Sequence, residues 1–404
     1  MKPLQRGYIA GPVLLLLWSL TLVYSIAIFV TFAGGAPARP FLPAVIVVGA
    51  LAGIGALQIS GLAMLAGVSA IAGALLSLLG IGPLQFGGEF SQLAEAVVGA
   101  FVVPAISLTG RLMLQGTAWG ELNRHEFEEA VIRFLTGFGL VFFIVIVMIP
   151  FFVMIATSLK SQQELLQNPL DYSIDLSKGW DLLRSYRELF ADFMFGSYLW
   201  TSFVVSVVTV IVTLLFSIPG AYAVARLRFR GRREFSQSIL LIYMVPMIVL
   251  ALPIYMLFSI TGLRNSLFGL ILIYPVTTIP VALYILQGYF RGLPFEVEEA
   301  GLMDGLNRLS VIRRITLPLS LPSIASVSLY VFMIAWNEFL LAFMLLDDPS
   351  TFTLTRGVAM LNSSEIPRQH LMAGAVIATI PVLALFLGLE RFITKGLTAG
   401  SVKG

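Results

Sequence analysis

A run of small and acidic residues that follows Pro294 has the composition of a short, exposed helix. Proline suits the first turn of a helix because its φ is already fixed, and acidic side chains favour the positive N-terminal end. Small residues further along allow another surface to approach closely, and a glycine can end the helix. The residues concerned are Glu296, Glu298, Glu299, Ala300, Gly301, Asp304 and Gly305. The segment 294–307 is therefore predicted to dock a soluble partner.

A second candidate site is the sequence Trp336, Asn337 and Glu338, which lies inside an apolar run of about 320–346. A carboxylate within lipid costs at least a few kcal/mol, so Glu338 should face other helices or a wet cavity. At 1.5 Å per residue, Glu338 lies about 25 Å along the helix from Leu321, toward its outer end. Two interpretations stay open: Glu338 lines or gates a pathway, or it contacts a buried partner on another helix.

The elements that position these residues must be membrane helices. The chain has 404 residues, of which 58% are hydrophobic and only 12% are charged. In a soluble protein about a quarter of the residues are charged, so most of the surface of this protein is expected to face lipid. The absence of cysteine excludes disulfides and thiolate chemistry, and two distant histidines argue against a histidine metal centre. No G-x-x-x-x-G-K-[ST] loop occurs, so this chain is not expected to hydrolyse ATP, and it has no soluble basic surface for nucleic acid.

Apolar runs long enough to cross lipid predict an all-α membrane protein with about ten transmembrane helices. The predicted spans are about 11–33, 41–58, 61–80, 95–115, 135–157, 199–225, 236–260, 266–288, 320–346 and 371–393. The first run is too long for a signal-peptide core and is interpreted as a retained anchor. The second and third spans are separated by only a few residues, so they are either two crossings or one re-entrant feature.

Basic residues in the loops predict the orientation. The arginine run from Arg226 to Arg233, the loop 291–314 and the tail with Lys395 and Lys403 all fall on one side. Both termini are therefore expected in the cytoplasm, and the arginine run should also contact anionic lipid. The predicted domains are an N-terminal membrane extension, 1–118, a cytoplasmic linker or surface helix, 119–134, and a core, 135–404. In the extension, Gly49 and Gly53 have the spacing of a close-packing pair.

The loop after Pro294 resembles the signature of permeases from ATP-binding-cassette (ABC) importers. That signature is Glu-Ala-Ala, three residues, Gly, nine residues, Ile, one residue and Leu-Pro. The residues at matching positions are Glu299, Ala300, Gly305, Ile315, Leu317 and Pro318. The departure is Gly301, where the family has alanine, and this lowers helix propensity. The segments 220–231, 336–339 and 396–404 are similar to the carbohydrate, maltose-type branch, and the resemblance covers about 135–404.

The resemblance implies a type I permease core of six helices, preceded here by about four extra helices. It also implies a cytoplasmic membrane of a prokaryote, a second related permease, an ATPase dimer and an extracytoplasmic solute-binding protein. The chain itself would bind no cofactor, since ATP and Mg would sit on the ATPase subunits, and the substrate would be a mono-, di- or oligosaccharide or a glycoside. Contacts with the ATPase would come from the 294–307 helix, and the outer loop Asp347–His370 would reach the binding protein.

The family also suggests a role for the tail, and the aromatic residues of two core helices suggest a second set of candidate residues. The tail would enter the ATPase dimer, although a frayed terminus is the default for chain ends; its residues are Ser401, Val402, Lys403 and Gly404. Tyr243 and Tyr274 could stack on sugar rings along the pathway, or anchor their helices at the membrane interface. Prolines in the same helices suit either a cavity lining or helix packing.

A secondary transporter or channel is the alternative class of function. Such a protein would use intramembrane acids as ion sites, and this chain offers mainly Glu338 and shows no clear inverted repeat. A membrane-embedded enzyme would need a catalytic cluster, which the sequence lacks. A tightly bound ATPase distinguishes the importer from both.

Overall fold

The computed structural model describes residues 6–34, 37–59, 61–87, 91–243, 245–362 and 366–398. It is mostly helical and divides into two compact units, Met1–Leu182 and Leu183–Gly404.

The first unit contains five long helices and a very small sheet. Its elements are α1 Gly7–Gly34, β1 Ala38–Pro40, α2 Leu42–Gln58, α3 Leu62–Leu78, β2 Leu84–Phe86, α4 Gln92–Met113, α5 Arg124–Ser158 and α6 Gln162–Gln167. The strands β1 and β2 pair in antiparallel fashion, which brings the start of α2 beside the end of α3. The chain is mostly helical, as predicted, and this two-stranded sheet is a small addition to that expectation. Three-residue strands carry no alternating pattern that sequence reasoning could detect.

The predicted close-packing glycines of α2 are confirmed. A Cβ atom on Gly53 would lie 2.6 Å from the Cα of Pro12, and one on Gly49 would lie 2.7 Å from the Cα of Leu16. Ser19 Oγ, on α1, donates to the carbonyl of Val45 at 3.0 Å. The backbones of α1 and α2 are therefore in direct contact, which only glycine permits at these two positions of α2.

The segment predicted as a linker, 119–134, is divided between two structural roles. Residues before the helix run back along the start of α1: the N–H of Gly7 donates to Gly120 O at 2.8 Å, and that of Tyr8 to Trp119 O at 3.0 Å. A capping box with Glu126 starts α5 immediately after residue 123, so 124–133 form the first turns of a long helix. The most apolar stretch of 18 residues in α5 has no buried residues, whereas Ala130 and the last residues, Ala156, Thr157 and Ser158, are buried.

Salt bridges order the polar segment after α5. Lys178 pairs with Glu164 and Lys160 Nζ lies 2.8 Å from Asp171 Oδ2. The hydrogen bond from Lys178 and that from the backbone of Ser161 lower the pKa of Glu164 from 4.5 to about 2. Since the folded-state pKa is depressed, this pair stabilises the fold above pH 4.5 and loses that contribution as the pH falls toward 2.

We expect the substitution Lys178→Met to raise the pKa of Glu164 toward 4.5, because its first and largest stabilising partner is gone. The measurement is a carboxyl titration followed by NMR with glutamate-labelled protein. Lys160→Met is the matched control, since Lys160 pairs with Asp171 and should leave the Glu164 titration near its low value. An unchanged Glu164 titration in Lys178→Met would contradict the pairing.

The second unit contains twelve helical segments among the described residues. They are α7 Arg184–Asp192, α8 Phe195–Arg226, α9 Arg232–Tyr243, α10 Met247–Ile260, α11 Leu267–Gly292, α12 Phe295–Met303, α13 Arg308–Val311, α14 Leu317–Leu319, α15 Leu321–Asn337, α16 Leu340–Leu345, α17 Leu354–Leu361 and α18 Arg368–Thr398. A π turn, Ile312–Thr316, joins α13 to α14, and a 3-10 turn occupies Pro349–Thr351. A further 3-10 segment, Leu176–Leu183, is interrupted at Gly179 and leads into this unit.

Long helices α8, α11 and α15 form the centre of this unit. The hydroxyls of Thr213 on α8 and Thr278 on α11 lie 2.7 Å apart in the buried interface. One apolar cluster surrounds Tyr274 and Trp336, and another surrounds Tyr222 and Phe290. The threonine pair satisfies its polar atoms internally, as a membrane helix interface requires.

The predicted count of ten crossings is not confirmed. Among the described residues, six helices are long and apolar enough to cross a membrane, or seven if the pair Arg308–Leu319 and Leu321–Asn337, bent by 76°, is one span. The helices α2, α3 and α10 are apolar but have only 17, 17 and 14 residues, and about 20 are needed for a full crossing.

Two predicted spans are broken in the structure. The span 236–260 divides into α9 and α10, with Pro246 capping the second helix, because proline cannot supply the N–H that a continuous helix needs. The span 320–346 ends as a helix at Asn337 and resumes at Leu340.

Candidate functional site

The predicted docking helix is present as α12. It begins directly after Pro294, with acidic residues in its first turn. It ends in a Schellman motif: the N–H of Leu306 donates to Gly301 O at 3.1 Å and that of Gly305 to Leu302 O at 3.1 Å. Gly305 has a φ of +86°, which is why a glycine stands at this position. The boundaries of the helix thus follow from Pro294 and Gly305.

One face of α12 is exposed. Glu296, Glu299, Ala300 and Met303 occupy positions i, i+3, i+4 and i+7, and all four are exposed. Met303 is 88% exposed. We call these four residues the exposed face of α12. Of the other predicted docking residues, Asp304 and Gly305 at the end of the helix are also exposed.

Gly301 differs from the other predicted docking residues because it is buried. A Cβ atom there would lie 2.5 Å from Ile315 Cδ1 and 3.5 Å from Leu306 Cδ1. Its side of α12 therefore packs against the chain itself rather than presenting a surface to a partner. Gly301, where the family has alanine, thus leaves room for the side chain of Ile315.

Sequence reasoning missed the role of Glu298, which it treated only as one of three acids at the start of the helix. Glu298 is 5% exposed and accepts hydrogen bonds from Thr316 Oγ1 at 3.0 Å and from Tyr222 Oη at 3.3 Å. Arg226 Nε lies 3.3 Å from Glu298 Oε1. Glu298 and Gly301 are three residues apart and therefore lie on one helix face. This spacing was the signal in the sequence that could have indicated the burial of Glu298.

Glu338 lies where α15 stops. Its carboxylate accepts from the N–H of Leu341 at 2.8 Å and from that of Ala342 at 3.1 Å, so it caps α16. It also lines a cavity of about 410 Å³ together with Pro246, Pro280 and other residues of α10, α11 and α15. The structure therefore gives Glu338 a capping role and a position on a cavity wall.

The other predicted pathway residues are distributed differently. Trp336 is buried, stacks on Phe332 at 5.5 Å, and donates from Nε1 to Ala378 O at 3.1 Å. Tyr274 is fully buried in the same cluster. Neither side chain lines the cavity beside Glu338.

Asn337 is exposed and donates to Met333 O at 2.9 Å. The side chain of Tyr243 lies outside the described residues, as do Ser401, Val402, Lys403 and Gly404.

The predicted outer loop, Asp347–His370, contains α17 and is anchored to the core. Phe352 and Leu354 are buried, and the N–H of Leu354 donates to Ser202 Oγ at 2.6 Å. His370, interpreted from the sequence as a loop residue, belongs to α18, and its Nε2 lies 2.8 Å from Glu188 Oε2.

Comparison with known proteins identifies the family of this fold. Residues 217–398, which include α12, match the family described as the binding-protein-dependent transport system inner membrane component. The inner membrane ABC transporter permease protein YcjP of Escherichia coli is 39% identical over 269 residues, covering 66% of this chain and 95% of the relative. The chain belongs to this family.

Other permeases align over a similar share of this chain at lower identity. The trehalose/maltose transport system permease MalG of Thermococcus litoralis is 33% identical over 282 residues, covering 69% of this chain and 99% of the relative. The arabinooligosaccharides transport system permease AraQ of Halalkalibacterium halodurans is 31% identical and covers 68% of this chain and 98% of the relative.

A crystal structure of a bacterial ABC transporter involved in import of the acidic polysaccharide alginate has the same fold. It aligns with a TM-score of 0.55 at 23% identity, over 66% of this chain and 98% of that chain. Each of these alignments thus covers about two thirds of this chain.

Proposed function

We propose that this chain is the membrane-spanning permease subunit of an ATP-driven sugar importer and forms half of the translocation pathway. The family membership supports the transport role, and the substrates named for the relatives from Thermococcus litoralis and Halalkalibacterium halodurans support a sugar as the substrate. The observation that carries the coupling role is the exposed face of α12, which combines small, acidic and apolar side chains on a helix outside the apolar spans.

This face is suited to a cleft on an ATPase subunit. Ala300 leaves the helix backbone accessible, Glu296 and Glu299 can pair with basic side chains, and Met303 offers a flexible apolar contact. Docking here would transmit nucleotide-driven motion to the membrane helices. ATP and Mg bind to the ATPase subunits in this proposal, and this chain hydrolyses nothing.

The remaining partners follow from the same proposal. A second, related permease supplies the other half of the pathway, and an extracytoplasmic solute-binding protein delivers the sugar to the outer loop Asp347–His370. Both termini lie in the cytoplasm, and residues 401–404 contact the ATPase dimer. The extension 1–118 serves assembly or stability rather than coupling, and the segment 119–134 links it to the core on the cytoplasmic side.

Affinity purification from native membranes, followed by identification of the bound chains and by sugar uptake assays, tests this function. We expect an ATPase subunit and a second permease to copurify, and uptake in proteoliposomes to require ATP and the binding protein. Uptake by the purified single chain, driven by an ion gradient without any ATPase, would instead favour a secondary transporter.

A further inference from the structure

We propose that Glu298 is a positioning residue that locks α12 to the end of α8, so that a force on the exposed face of α12 moves the membrane helices. This inference rests on the proposed docking of α12 to an ATPase subunit. Glu298 lies outside the exposed face of α12, and in this inference it transmits the docking of α12 to the membrane helices.

The carboxylate of Glu298 joins three separate elements. It belongs to α12, accepts hydrogen bonds from Tyr222 on α8 and from Thr316 in the π turn, and is paired with Arg226 at the last residue of α8. Each contact lies between 3.0 and 3.3 Å. The side chains of Glu298 and Arg226 are each only 6% exposed. The pair is therefore shielded from solvent and salt.

Arg226 holds the corner that leads into α12. Its NH2 group donates to the carbonyl of Leu293 at 2.8 Å, and its guanidinium lies 5.5 Å from the centre of the Phe295 ring. Leu293 caps the end of α11 and Phe295 is the first residue of α12. One arginine thus fixes the ends of α8, α11 and α12 relative to one another.

Charge is what makes this junction rigid. Apolar side chains tolerate small rotations of one helix against another, because dispersion contacts are not directional. A buried carboxylate held by several donors cannot turn without leaving an unpaired charge, and removing one partner of such a pair is strongly unfavourable. The junction therefore resists tilting of α12 independently of α8.

The substitution Glu298→Gln in the full complex tests the inference, since it keeps the shape and removes the charge. We expect the sugar transported per ATP hydrolysed to fall about fivefold or more, while the ATPase subunit still copurifies in normal amount. Glu234→Gln is the matched control, because Glu234 is an exposed acid of α9 that lies outside α12. It should leave both the amount of bound ATPase and the ratio of transport to hydrolysis unchanged.

Two further variants separate positioning from simple stability. Thr316→Val removes one donor at a fully buried, equally sized position, and it should lower the same ratio by a smaller factor. Arg226→Lys retains the charge and should preserve more of the ratio than Arg226→Gln. An intact ratio in Glu298→Gln, or a loss confined to yield and thermal stability, would overturn the inference. Failure of the wild-type complex to bind an ATPase would instead refute the proposed function.

Discussion

Replacing Ala300 by tryptophan is expected to abolish sugar transport while the protein still inserts in the membrane. Ala300 is an exposed residue of α12 between Glu296 and Met303, so an indole there would occupy the space that a docked ATPase needs. A loss of at least about 100-fold in transport corresponds to roughly 3 kcal/mol of docking free energy. The measurement is uptake in proteoliposomes, together with the amount of ATPase that copurifies.

The choice of position matters for this experiment. Gly305 also lies at the exposed end of α12, but its φ of +86° means that a tryptophan there would strain the backbone whether or not a partner docks. Ala300 is helical and free of that strain. The control Ala300→Ser keeps a small side chain and should transport normally. Normal transport by Ala300→Trp would show that this face is not a docking surface.

A second control restores the family residue at Gly301. The new Cβ of Gly301→Ala would lie 2.5 Å from Ile315 Cδ1, which is the far end of a flexible side chain and can rotate away. We expect this variant to transport at close to the wild-type rate. Comparison of Gly301→Ala with Ala300→Trp distinguishes the effect of altered packing behind α12 from the effect of a bulky residue on its exposed face.

The substitution Gly53→Val is expected to destabilise the first unit severely. Its Cβ would lie 2.6 Å from the Cα of Pro12, and backbone atoms of α1 cannot move aside as a side-chain tip can. Overpacking of this kind costs about 1–3 kcal/mol or more. The measurement is thermal unfolding or limited proteolysis of the purified chain in detergent.

Gly67→Val is the matched control for this prediction. Gly67 lies in α3, is exposed, and has no atom within 4 Å of an added Cβ. The same glycine-to-valine change in a helix should therefore leave stability close to that of the wild type. Equal stability of the two variants would contradict the close approach of α1 and α2. If the extension serves assembly, Gly53→Val should reduce the amount of complex without reducing turnover per complex.

Sequence reasoning located the features that depend on local chemistry. Pro294 and Gly305 each act on the backbone at their own positions. The helix starts directly after Pro294 as predicted, and the turn at Gly305 ends it at Met303, four residues before the predicted limit of 307. The glycine pair in α2 was likewise recognisable from spacing alone. Long apolar runs predicted most helices, since the hydrophobic requirement for crossing lipid is strong.

Features that depend on distant contacts could not be predicted in the same way. The burial of Glu298 depends on Thr316 and Tyr222, which are separated from it by 18 and 76 residues. The break before Leu340 depends on the Glu338 carboxylate, which accepts a hydrogen bond from the N–H of Leu341 in the next helix. The surrounding sequence is apolar, so hydropathy gives no sign of this break. Hydropathy measures the composition of a segment and does not show where its backbone turns.

The π turn Ile312–Thr316 makes the number of residues between Gly305 and Pro318 important for the packing of α12. Both Ile315 and Thr316 contact α12, the first against Gly301 and the second against Glu298. Removing one residue from the turn would shift the register of the preceding helix by about 100°, and the two contacts could not both form. Insertions and deletions in this interval are therefore far more harmful than substitutions at exposed positions such as Leu309, which is 74% exposed. The geometry of the π turn thus constrains the length of this loop more strongly than the identity of its exposed residues.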